Sequence, residues 1–120
     1  MLRRIEDLPH DVIGLEASGK ITGADYDEVL APAVNELRRD HHKIRLLYVL
    51  GPGFEGYTAG GMSHDAMLGL KHPRSWEKIA VVTDDEWVRK SVDWLGWMVP
   101  GDVKLFHFGD EPRAREWICN

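Results

Sequence analysis

Apolar residues recur along this chain with two different periods, and the switches between them mark out its elements. Residues 3–7 (RRIED) and 11–18 (DVIGLEAS) read as two short strands around the turn signal Leu8-Pro9-His10-Asp11. In the second, Leu15 and Ala17 alternate with Glu16 and Ser18, as a strand with a buried face requires. Thr22 then opens a helix, and Asp25 three residues on completes a capping pattern. Tyr26, Val29, Leu30, Ala33, Val34 and Leu37 fall on one apolar stripe, with Asp25, Glu28, Asn35, Glu36 and Arg39 away from it. Pro32 lies inside this run and predicts a kink on the outer face. Arg38, Arg39, His41, His42 and Lys43 gather where the helix ends and complement its dipole.

Ile44–Leu50 (IRLLYVL) is a continuous apolar strand of the kind buried on both faces of a parallel sheet. Gly51, Pro52, Gly53, Gly56, Gly60 and Gly61 predict a loop after it, with Phe54 and Tyr57 among them. A glycine-weakened helix follows over Thr58–Leu70 and ends at His72-Pro73. Lys78–Thr83 (KIAVVT) is a second buried strand. Asp84 caps a third helix that runs to Val99 and stops at Pro100-Gly101. Val103–Phe108 alternates as a strand, and Glu111–Ile118 forms a short last helix. The order β-β-α-β-α-β-α-β-α implies right-handed crossovers and a sheet covered by helices. The expected fold is α/β: three layers, with a mainly parallel sheet of about five strands flanked by four helices.

Length and charge narrow the functional classes. With 120 residues the chain has the size of one domain, taken as 1–120. Its net charge of −5 is spread evenly: seven basic against ten acidic residues to position 60, eight against ten beyond. Such a domain lacks the clustered cations that grip phosphates, so no nucleic-acid partner is expected. No apolar run approaches the length of a membrane helix, and the start MLRRIEDLPHDV lacks the apolar centre of a signal peptide. A cytoplasmic domain without stable membrane insertion is therefore expected. Cys119 stands alone, which excludes an internal disulfide.

Motifs for chemistry are scarce. GPGFEGYTAGG leaves a strand and enters a helix, yet it contains neither GxxxxGK[ST] nor GxGxxG, and no lysine follows within it. Ser63, His64 and Asp65 are neighbours on a helix and diverge by about 100° each, so they form no hydrogen-bonded triad. An enzyme would need a cleft that gathers His64, His72 or Asp65 with other polar groups. No catalytic residue, cofactor or metal is expected. A candidate surface does emerge: Trp94, Trp97 and Met98 on the third helix, with Tyr57, Met62 and Met67 on the preceding segment. Flat tryptophan and flexible methionine suit an adaptable apolar contact.

Several segments in order resemble one family. They are Gly19-Lys20-Ile21-Thr22, Asp25-Tyr26, Val29-Leu30-Ala31-Pro32-Ala33 and Lys43-Ile44-Arg45-Leu46-Leu47, then Phe54-Glu55-Gly56 and Gly69-Leu70-Lys71-His72. Lys78-Ile79-Ala80-Val81-Val82, Glu86-Trp87 and Val99-Pro100-Gly101 complete the set. The chain from Ile5 to Trp117 resembles the SpoIIAA-like family of small bacterial stand-alone STAS-type proteins, which are also compared with the lipid-transfer CRAL-TRIO domains. The resemblance implies the SpoIIAA-like fold. Classical anti-sigma-factor antagonists carry an Asp-Ser-Ser-Gly-type segment whose serine is phosphorylated. Here the equivalent place reads Gly53-Phe54-Glu55-Gly56-Tyr57-Thr58-Ala59-Gly60, and Thr58 alone could inherit that role.

The expected function is a non-enzymatic binding or regulatory domain that recognises a protein through Gly51–Tyr57 and the start of the second helix. The alternatives are a carrier of an apolar, lipid-like molecule between helices two and three, and a phospho-switch at Thr58. Trp97 falls on the same side as Glu86, Lys90 and Asp93, which points to a two-fold homodimer through helix three. Sedimentation equilibrium at micromolar concentration tests this: the wild type should dimerise and Trp97→Glu should weaken the dimer. A monomeric wild type contradicts the dimer, and a dimeric variant contradicts the surface.

Overall fold

The computed structural model describes residues 1–40, 43–58, 76–95 and 102–120, with backbone alone for 91–95. Its centre is the apolar run that begins at Ile44, because only a strand with neighbours on both sides and cover on both faces buries every side chain. That strand, β3 (Ile44–Tyr57), lies third in a sheet ordered β1-β2-β3-β4-β5. The others are β1 (Leu2–Ile5), β2 (Val12–Ile21), β4 (Trp76–Thr83) and β5 (Asp102–Phe106). β1 pairs antiparallel with β2, as the tight turn between them demands, and the remaining neighbours are parallel.

Strands laid side by side in chain order, joined by right-handed crossovers, put their connecting helices on one face. Helix α1, which starts as Gly23–Asp25 and ends as Ala31–Asp40, after β2 and helix α2 (Glu86–Leu95) after β4 follow this rule. Tyr26, Leu30, Val34 and Leu37 of α1 and Val88 of α2 share one buried cluster with Leu46, Tyr48 and Leu50 of β3. The last helix, α3 (Glu111–Cys119), is no crossover and folds onto the opposite face. There Ala114 and Ile118 pack with Leu47 and Val49 of β3, Ala80 and Val82 of β4, and Phe106 of β5. The result is the expected three-layer α/β fold with a mostly parallel five-stranded sheet. Three helices belong to the described residues; the helix expected over 58–70 falls outside them beyond Thr58.

Local structure corrects the expectation in three places. Helix α1 begins with the anticipated capping box, in which Thr22 Oγ1 accepts from the Asp25 N–H at 3.2 Å and Asp25 accepts from the Thr22 N–H at 2.8 Å. It then runs as Gly23–Asp25, a π turn over Tyr26–Leu30, and Ala31–Asp40. The Ala31 N–H reaches back five residues to the Tyr26 carbonyl. The wide turn directly before exposed Pro32 accommodates a residue that has no N–H and whose ring crowds the carbonyl four back. The helix thus meets its proline with a π turn.

The stretch Gly51–Tyr57 is the second correction: it is strand, not loop. After Ala17 pairs with Leu50 the register shifts, and pairing resumes with Gly19 opposite Phe54, Lys20 opposite Gly56 and Ile21 opposite Tyr57. Gly19 (φ +61°) and Gly56 (φ +111°) absorb this bulge in backbone conformations that residues with a Cβ rarely adopt. The third correction concerns strand bounds: β1 ends at Ile5, β2 runs on to Ile21, and β5 ends at Phe106, where the chain turns so that Phe108 lies outside the strand.

Gly14 sits opposite Ile5 in the β1–β2 pair, where a Cβ would stand 2.8 Å from the Ile5 Cβ and also strike Leu8. Gly14→Ala should destabilise the fold by about 1–3 kcal/mol through overpacking. At Gly53 the nearest atom to an added Cβ is Ser18 Cβ at 3.8 Å, an ordinary contact. Gly53→Ala should therefore be neutral or slightly stabilising. Urea denaturation of both variants checks the pair, and equal midpoints contradict the packing at Gly14.

Candidate functional site

In parallel sheets the carboxyl ends of the strands are where clefts open, because chains leave there in different directions. Here a cleft of about 300 Å³ lies at that edge, lined by Gly51 and Phe54 of β3, Thr83 of β4, Asp84, Asp85 and Phe108. The Phe108 ring lies over Gly51 so closely that an added Cβ would meet it at 3.0 Å. Phe108 is held there by Asp84, whose Oδ1 accepts the Phe108 N–H at 3.0 Å and lies 3.1 Å from His107 Nδ1. The Phe108 amide first, and His107 second, keep the Asp84 carboxyl below the usual carboxylate range.

The floor is tied down from below. Thr83 is fully buried, and its Oγ1 accepts the Asp85 N–H at 3.0 Å. Arg89 donates to the carbonyls of Thr83 at 2.9 Å and of Phe106 at 3.2 Å, fastening α2 to the ends of β4 and β5. The α2 cap is Asp85, not the anticipated Asp84: Asp85 Oδ1 accepts the Val88 N–H at 3.1 Å. In the sequence Asp84 and Asp85 are equivalent candidates, and only the return of the chain at His107-Phe108 separates their tasks.

Beside the cleft runs an aromatic wall. Phe54 meets Tyr57 edge-on at 5.3 Å between centroids, and Trp87 tilts against Tyr57 at 6.2 Å. Tyr57 stacks nearly parallel to Tyr26 at 6.5 Å. Its hydroxyl donates to the Tyr48 hydroxyl at 3.1 Å, which also lies 3.2 Å from that of Tyr26. Three phenols therefore meet inside the domain and fix the inner side of the wall. Burial above all, then the adjacent Tyr57 and Tyr26, push the Tyr48 phenol well above its ordinary range.

The arrangement has definite chemical consequences. The amino end of a helix at a sheet's carboxyl edge usually favours anions. Here Asp85 occupies an end amide of α2 with its own carboxylate, and Asp84 and Glu86 stand exposed on either side. Phosphate would meet like charge, in keeping with the missing nucleotide motifs. Asp84 and Asp85 each spend an oxygen on a backbone amide, a structural use of both groups. Among the described residues no three His, Cys, Asp or Glu side chains gather as a metal site.

Of the residues singled out in the sequence, Tyr57 stands in the aromatic wall. Trp94 belongs to α2, but its side chain lies outside the described residues, as do Met62, Met67, Trp97 and Met98 entirely. Ser63, His64, Asp65 and His72 also lie outside them. Thr58 is half-buried, and its Oγ1 donates to the Ile21 carbonyl at 3.3 Å. The bonds of Asp84 to Phe108 and His107 escaped sequence reasoning because they join the ends of β4 and β5. The available signal was Thr83-Asp84-Asp85 directly after a buried strand, where a cleft forms in this topology.

A sequentially ordered, mostly parallel sheet with helices on both faces and a cleft at its carboxyl edge defines a small three-layer α/β domain. The chain belongs to the SpoIIAA-like family, whose model matches residues 12–119. It is similar in fold to an uncharacterised protein of the DUF3478 family with a SpoIIAA-like fold from Shewanella loihica PV-4, whose crystal structure was determined at 2.25 Å. That likeness has a TM-score of 0.77 at 23% identity, over 98% of this chain and 94% of the other. No curated protein matches the chain. Among the described residues no helix is long and apolar enough to cross a membrane.

The phenol cluster supplies a pH test. A folded-state value above the unfolded one, about 10 for tyrosine, contributes stability below that pH and loses it as pH rises towards the folded value. Tyr48→Phe should cost about 1 kcal/mol at neutral pH, because it removes the hydroxyl that Tyr26 and Tyr57 share. It should also flatten the decline in urea midpoint above pH ~10. An alkaline decline as steep as that of the wild type contradicts the shared network.

Proposed function

We propose that this chain is a non-enzymatic binding domain that recognises another protein through the cleft and its aromatic wall. The observation that carries the reading is exposure. Among the described residues the exposed large apolar side chains are Met1, Trp87 (51%) and Phe108 (37%), and the last two stand at this one edge. Exposed aromatics clustered around a shallow depression are characteristic of recognition surfaces, where flat rings supply contact area at little entropic cost. A cleft of about 300 Å³ is at the small end for enclosing a free ligand, whereas one anchoring side chain of a partner fits it.

The wall is also prepared in advance. The wall is locked by the phenol cluster, and the far side of the cleft by the bonds of Asp84 to Phe108 and His107. A surface held rigid before association loses less freedom on binding. The reading keeps the Gly51–Tyr57 segment as the recognition element, now as a strand end.

Photo-cross-linking from a benzophenone amino acid placed at Phe54 or Trp87, in cells of the source organism, tests it. Both positions should yield a discrete adduct to a second polypeptide, and Glu36 on the outer face of α1 should not. An adduct of twice the chain's own mass identifies the partner as a second copy. Absence of adducts from both aromatic positions overturns the proposal.

A further inference from the structure

We propose that the partner segment seated in this cleft is basic: a lysine or arginine side chain, its stem against Phe54 and Phe108 and its cation at Asp84 and Asp85. The inference rests on the reading of the cleft as a protein-recognition surface and adds the chemistry of what is recognised.

Charge complementarity carries it. Asp84 and Asp85 line the cleft and are exposed, and Glu86 is exposed beside them at the start of α2. Among the described residues the neighbouring cations offset them only in part. Arg89 is turned onto two backbone carbonyls, and His107 is held by Asp84. Lys90 is exposed one helical turn further along α2, and Lys20 stands opposite Gly56 across the strand pair. An acidic partner would be repelled. A purely apolar one would strip water from carboxylates without compensation.

The carboxylates also have capacity to spare. Asp84 uses Oδ1 for both the Phe108 amide and His107, and Asp85 uses Oδ1 for the Val88 amide. Among the described residues neither Oδ2 carries a bond. One oxygen of each group thus builds the cleft, and the other is unused by the described residues. Arginine meets both halves of such a site, since its planar guanidinium stacks on aromatic faces and donates to carboxylates. Lysine fits with its apolar stem along the rings and its ammonium at the mouth.

Selection of a phage-displayed random peptide library on the immobilised full chain tests this. Peptides that require Phe54 should be enriched in Arg or Lys beside apolar residues, and their binding should weaken at high salt. Replacing that Arg by uncharged, nearly isosteric citrulline, or that Lys by norleucine, should cost at least about tenfold in affinity against the wild-type protein. Asp84→Asn with Asp85→Asn should cost a similar factor, because asparagine keeps the acceptor that each backbone bond needs. The peptide-side exchange holds even if the double variant folds poorly. Neutral or acidic peptides that still require Phe54 overturn the basic partner and leave protein recognition standing. Failure to enrich any peptide that requires Phe54 overturns both.

Discussion

The aromatic wall of the candidate site depends on the length of one strand pairing. β2 and β3 run parallel from Val12 opposite Arg45 to Ile21 opposite Tyr57, well past the point where the apolar run ends. A backbone that leaves the core must find partners for its amides and carbonyls or return them to water. Here the glycine-rich stretch finds them on β2, at the expense of a bulge absorbed by Gly19 and Gly56. Pairing at Ile21 carries straight into the α1 cap, because Thr22 follows directly and the Thr58 amide donates to the Ile21 carbonyl.

That extension turns the end of a strand into a wall. Phe54 and Tyr57 project from paired backbone, and so they keep fixed positions against Tyr26, Tyr48 and Trp87. The far side of the cleft is built independently, by a carboxylate that pins the turn between β5 and α3. Its two sides are therefore held by different physics: buried phenols on one, an exposed charge-assisted hydrogen bond on the other. Salt and acid act on the second and leave the first intact. Both sides are thus set before a partner arrives.

The sequence revealed the layers and strand order well because they follow from period and crossover handedness. Leu47 and Val49 reach one face of β3 while Leu46, Tyr48 and Leu50 reach the other, as a doubly covered strand requires. The α1 stripe and its capping box were equally legible, being local. The strand character of Gly51–Tyr57 was not, since glycine and proline signal a turn until a partner strand stabilises the extended form. Nor was the division of labour between Asp84 and Asp85, which depends on where Phe108 returns. The SpoIIAA-like family assignment drew on motifs spread along the whole chain, whereas the cleft is made by contacts between its distant parts.

Amide hydrogen exchange across residues 51–58 tests the central claim most directly, because the wall exists only if this stretch is paired. The account predicts strong protection at Thr58, whose N–H donates to the Ile21 carbonyl at 2.9 Å, and protection within Phe54–Tyr57 well above that of an unstructured glycine-rich peptide. Exchange throughout the stretch at the rate of an unstructured peptide would contradict it.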